Sequence, residues 1–99
     1  CIVVNSISGT TARMVSRFRC PTDILGATTC EKVWRKLNLS WGVTPVMSEV
    51  FQSLDVLFYT AGKLARSTFG LNKGDAIVIT GGMTNGSSGN TNLIKVERI

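Results

Sequence analysis

The chain contains no histidine, so the side chain most often used for proton transfer near neutral pH is missing. Its six acids, Asp23, Glu31, Glu49, Asp55, Asp75 and Glu97, are scattered over turns, helices and a terminal strand. No two are spaced to hold Mg²⁺ or to exchange protons, so the chain by itself is expected to be non-catalytic and to hold no metal. The three cysteines, Cys1, Cys20 and Cys30, are odd in number and form no CxxC pair. Without histidine to complete a ligand set they argue against a zinc site and a disulfide framework alike, and reduced, packed thiols are expected. No apolar run approaches the ~20 residues of a membrane-spanning helix, and no basic-then-apolar leader opens the chain, so a cytoplasmic placement away from membranes is expected. The opening "CIVVN" has no initiating Met and reads as a piece of a longer polypeptide.

What is present suits one domain. Of 99 residues, 43% are hydrophobic and 17% charged, enough to bury a modest core. The net charge of +5 permits attraction to polyanions. Lys32, Arg35 and Lys36 form one basic face, but no aromatic residue is interleaved with them and no reading motif is present, so a solvated surface is expected rather than a nucleic-acid interface.

Hydrophobic periodicity orders the chain. Residues 1–4 are an uninterrupted apolar run, as in a strand buried on both faces, and "SISGTT" then offers caps for a helix over residues 9–18 with Ala12, Val15 and Phe18 inward. Residues 23–28 form a second strand. Thr29 is placed to cap a second helix, whose Cys30, Val33, Trp34 and Leu37 fall at i, i+3, i+4 and i+7. "WGVTPVMS" is a third strand, where Pro45 favours an edge because it cannot donate a ladder hydrogen bond. The longest helix runs from Ser48 to about Thr68, burying Val50, Leu54, Leu57, Ala61, Leu64 and Ala65. Gly70 is its C-cap, and Lys73, Gly74 and Asp75 form a turn. "AIVIT" is a further buried strand, and "TNLIKVERI" alternates as an edge strand with one wetter face. Trp34 and Trp41 are expected to anchor the core.

The order β-α-β-α-β-α-β-β predicts a three-layer α/β/α fold with one five-stranded sheet in the order 3-2-1-4-5. Strands one to four are expected parallel with right-handed crossovers, and strand five antiparallel. In such a sheet the chain reverses direction between strands one and four, and ligands bind beyond the C-terminal strand ends there. The two loops leaving those strands are "SISGTT" and "GGMTNGSSGN", the segments richest in hydroxyls and glycine. Helix amides, the hydroxyls of Ser6, Ser8, Thr10 and Thr11, and the close approach allowed by Gly9 suit a phosphate, with the second loop folding over it. Capping and a flexible hairpin connection are the competing account of the same residues: the clustered hydroxyls exceed what capping requires, but their spacing matches neither GxGxxG nor GxxxxGK[ST]. Arg17 is expected to be solvated; Arg13 either reinforces an anion site or is solvated as well.

"IVVNSISGTTARMVSRFRCPTDILGAT", "WGVTPV", "GLNKGDAIVITGG" and "GNTNLIKV", in that order, resemble the C-terminal domain of pyruvate kinase over essentially the whole chain, and the bacterial type in particular, since residues 80–91 need no gap. The resemblance implies that residues 1–99 are a regulatory domain. The parent's barrel domain transfers phosphoryl from phosphoenolpyruvate to ADP in glycolysis with Mg²⁺ and K⁺. The resemblance further implies that this domain has no cofactor of its own, carries the allosteric effector site and forms part of the interface of a tetramer. Ser6, Ser8, Gly9, Thr10 and Thr11 match the positions that grip the effector's phosphate, and Gly82, Asn85, Gly86, Ser87, Ser88 and Gly89 fall in the effector loop. In relatives activated by fructose 1,6-bisphosphate a Trp and an Arg near the start of the long helix hold the second phosphate. Val50 and Leu57 stand there instead, so a monophosphate such as ribose 5-phosphate, glucose 6-phosphate or AMP is the expected effector. The competing reading is a stand-alone structural or oligomerisation module with a vestigial phosphate site.

Overall fold

A computed structural model of the chain describes residues 1–5, 9–19, 21–48, 54–81 and 93–98. Its elements are β1 (Ile2–Asn5), α1 (Thr10–Ser16), β2 (Ile24–Thr28), α2 (Glu31–Leu37), β3 (Val43–Met47), α3 (Leu54–Phe69), β4 (Ala76–Gly81) and β5 (Leu93–Arg98). They form one five-stranded sheet in the order β3-β2-β1-β4-β5, as expected from the alternation of strand and helix patterns. β1 pairs in parallel with β2 and with β4, β2 pairs in parallel with β3, and β4 pairs with β5 antiparallel.

Strand alternation sends successive side chains to opposite faces and thereby builds two cores. On one face Val3, Leu25, Ile77 and Ile79 are buried with Ala61 and Ala65 of α3. On the other, Val4 and Ile24 are buried with Ala12 of α1 and Leu37 of α2. A side chain at Gly26 would meet Val43 Cγ1 at 3.0 Å and Leu37 Cδ1 at 3.2 Å, so the glycine lets α2 lie close on the sheet. Leu57, Ala61 and Ala65 are buried and Leu64 partly so, matching the expected inner face of α3; Val50 and the Leu54 side chain lie outside the described residues. Gly70 ends that helix at φ 63°, its N–H donating to Arg66 O at 2.9 Å. In the next turn Asp75 N–H donates to Asn72 O, and Asn72 N–H donates to the Asp75 carboxylate. Pro45 sits opposite Gly26 on the edge strand β3, where its missing N–H costs no ladder bond.

Several local expectations are corrected. α1 stops at Ser16, so Phe18 lies past the helix and is 80% exposed; the inward position is taken by Ser16, whose hydroxyl donates to Trp41 O at 2.5 Å. Trp41 is 46% exposed rather than a core anchor, with the Arg19 guanidinium 5.6 Å from its ring centroid. Trp34 is half-buried, its indole N–H donating to Pro45 O at 3.2 Å, which ties α2 to β3. Cys30, not Thr29, is the N-cap of α2 and makes no side-chain cap bond; the Thr28 hydroxyl instead accepts the Cys30 N–H. Ser48 is not helical: its N–H donates to Thr28 O at 2.9 Å, continuing the strand pairing. Gly81, expected in the loop, pairs with Leu93 as the last residue of β4. On β5 the exposed residues include the apolar Ile94 and Val96, whereas Lys95 lies over the Phe58 ring of α3.

Candidate functional site

The strand order brings the C-terminal ends of β1 and β4 side by side: Val4 is opposite Thr80, and Asn5 and Gly81 follow. A side chain on Gly81 would lie 3.1 Å from both Asn5 Cβ and Asn5 O, so the two strand ends are in close contact. β1 has β2 on one side and β4 on the other, which makes this the point where the sheet reverses its direction of winding. Both segments singled out in the sequence leave the sheet here.

Three of the residues expected to hold a phosphate fall in the described structure. Gly9 is buried at φ 80°, ψ 0°, a left-handed conformation, and its carbonyl accepts the Arg13 N–H at 3.0 Å to close the first turn of α1. A Cβ there would come within 2.8 Å of Val33 Cγ1. Gly9 is thus required twice, by its torsion angle and by the packing of α2 against the α1 turn. Thr10 is exposed and Thr11 partly buried, both in the first turn of α1. The Arg13 guanidinium donates to the Thr10 hydroxyl at 3.4 Å, so Arg13 lies over this first turn, whereas Arg17 is exposed at the opposite end of the helix. Ser6 and Ser8, and the loop residues Gly82, Asn85, Gly86, Ser87, Ser88 and Gly89, lie outside the described residues.

Sequence reasoning missed Asn5. It ends β1 at the reversal point, and its side-chain Nδ2 is buried with no hydrogen-bond partner. A buried amide donor without an acceptor is costly, and such a group at the end of a strand suits an incoming oxygen. The available signal was its place as the one polar residue closing "CIVVN".

Among the described residues no group of three or more His, Cys, Asp or Glu is placed to hold a metal, and Cys1 and Cys30 are free thiols. No helix among them is long and apolar enough to cross a membrane.

This geometry coincides with a family match. The family described as pyruvate kinase, alpha/beta domain, matches residues 1–97. The chain belongs to that family. It is 40% identical over 96 residues to pyruvate kinase of Clostridium acetobutylicum, covering 97% of this chain and 20% of that protein. It is 38% identical over 98 residues to pyruvate kinase of Staphylococcus epidermidis, and 37% over 98 residues to that of Staphylococcus aureus. In both cases 99% of this chain and 17% of the relative are covered. The chain therefore spans a fifth or less of the length of these relatives, and corresponds to the pyruvate kinase alpha/beta domain rather than to the whole enzyme.

Proposed function

We propose that residues 1–99 are the regulatory, non-catalytic domain of a cytoplasmic pyruvate kinase, binding a sugar or nucleotide monophosphate where β1 and β4 end. The parent transfers phosphoryl from phosphoenolpyruvate to ADP with Mg²⁺ and K⁺ held by its barrel domain, and assembles as a homo-tetramer. The observation that carries this reading is that Asn5 and Gly81 lie side by side at the reversal point of the sheet, where the buried Asn5 amide has no hydrogen-bond partner.

Each part of the turn has a chemical use. The amides and hydroxyls of residues 6, 8, 10 and 11 cradle the phosphate oxygens at the positive end of α1, and Arg13 adds charge beside Thr10. The buried Asn5 amide donates to a ligand oxygen. Leu57 is 3% exposed, so an aliphatic core residue occupies the place where bisphosphate-activated relatives carry a cation, in keeping with a single phosphate. The ligand shifts the parent only by binding one quaternary state better than the other; a coupling of ~1–3 kcal/mol gives a ~5–150-fold change in affinity.

Thr11→Glu tests this directly, since its carboxylate competes for the phosphate's place. Steady-state kinetics of the complete gene product should show full basal turnover and no activation by ribose 5-phosphate, glucose 6-phosphate or AMP. Unchanged effector dependence in that variant contradicts the assignment. The exposed Ile94 and Val96 on the edge strand β5 favour a second reading, an oligomerisation module with a vestigial phosphate site. Under that reading the unmodified gene product already lacks phosphate-monoester binding while its oligomeric state depends on Ile94 and Val96.

A further inference from the structure

Away from the β1/β4 junction, α3 and β5 enclose a groove of about 430 Å³. α3 presents Tyr59, Gly62, Lys63 and Arg66 to it, at i, i+3, i+4 and i+7 of one helical stripe, and β5 adds Glu97 and Arg98. Arg98 pairs with Ala76 at the start of β4, whereas the junction lies at Gly81, so the groove sits ~17 Å along the sheet from it.

Charge in the groove is unbalanced. Glu97 is its one acid among the described lining residues, and Lys95 Nζ stands 2.9 Å from the Glu97 carboxylate while also lying 4.1 Å from the Phe58 ring centroid. Arg98 donates to Gly74 O at 3.1 Å and keeps its charge. No carboxylate among the described residues pairs with Lys63 or Arg66. Three cations therefore converge with no counter-ion of their own, and a multivalent anion relieves their repulsion. Tyr59 is 72% exposed and offers a ring face next to this charge.

Gly62 supplies the remaining observation. It sits inside a sixteen-residue helix, where glycine is less favourable than alanine, yet no atom lies within 4 Å of the position its Cβ would take. No neighbour in the described structure requires a glycine there. What its missing side chain does is leave the middle of the groove open between Tyr59 and Arg66.

We propose that this groove binds a planar, multiply phosphorylated ligand of the nucleoside di- or triphosphate class. The base stacks on Tyr59, the chain of the ligand passes over Gly62, and the phosphates meet Lys63, Arg66 and Arg98, whose guanidinium groups suit bidentate contact with phosphate oxygens. The volume falls in the range of small-molecule sites. This site is separate from the monophosphate junction and stands whether or not that reading holds.

Equilibrium dialysis of the complete gene product against ATP, counting molecules bound per chain, tests the proposal. Gly62→Gln should remove one ATP per chain while leaving the thermal unfolding midpoint unchanged or raised, because glutamine is the better helix former. Arg66→Gln should weaken the same site at least about tenfold. Tyr59→Leu should weaken ATP but not inorganic tripolyphosphate, and Thr11→Glu should leave the count of ATP at this groove unchanged. An identical ATP count and affinity in the unmodified protein, Gly62→Gln and Arg66→Gln overturns the site. Equal loss of ATP and tripolyphosphate in Tyr59→Leu overturns its assignment to a nucleotide.

Discussion

Gly9 concentrates more constraint than any other residue of the first turn. Its φ of 80° disfavours every L side chain, and a Cβ would overlap Val33 Cγ1 at 2.8 Å. Gly70 also has a positive φ, 63°, but nothing lies within 4 Å of its missing Cβ. The two substitutions should separate cleanly. Gly70→Ala should cost ~1 kcal/mol of stability from backbone conformation alone, and Gly9→Ala ~2–4 kcal/mol once the overlap with α2 is added. Urea titration followed through the fluorescence of Trp34 and Trp41 checks this; equal midpoints for the two variants contradict the packing role given to Gly9. The sequence showed that a glycine stood at a strand-to-helix junction. It could not show that Val33, twenty-four residues later, closes over it, because that contact exists only once α1 and α2 share a face of the sheet.

At the scale of elements, α2 was the most legible part of the chain. Its i, i+3, i+4, i+7 stripe ends in Leu37, which is 1% exposed and packs with Val4, Ala12 and Ile24. Leu39, two residues on, is 91% exposed. Leu37→Ala should cost ~2–5 kcal/mol in the same urea titration, and Leu39→Ala no more than ~0.5 kcal/mol. Comparable losses would mean that α2 does not dock as described. Helix ends were harder to read. The pattern Ala12, Val15, Phe18 fits a longer α1, but the helix closes at Ser16 and the buried hydroxyl there finds the Trp41 carbonyl instead. Trp41 misled for a related reason: its backbone bonds the core while its ring lies at the surface under Arg19. Side-chain size announces burial only on average, and backbone hydrogen bonding leaves no mark in hydropathy.

At the scale of the whole molecule, strand order converts two separated loops into one place. That order followed from the count of βα units, from Pro45 marking an edge and from the hairpin at the end, and the observed sheet has it. The buried Asn5 amide was not legible, since burial and the absence of a partner depend on how the strand ends pack and leave no mark in the sequence. The α3/β5 groove was not legible either, because Tyr59 and Arg98 lie on elements that hydropathy reads separately. The most direct measurement is a crystal structure of the complete gene product grown with ribose 5-phosphate. The expected result is phosphate density within ~3 Å of the amides of residues 8–11 and of the Thr11 hydroxyl, with the Asn5 amide donating to a ligand oxygen. Side chains of residues 82–90 filling that junction, with the sugar phosphate bound elsewhere or not at all, would contradict it.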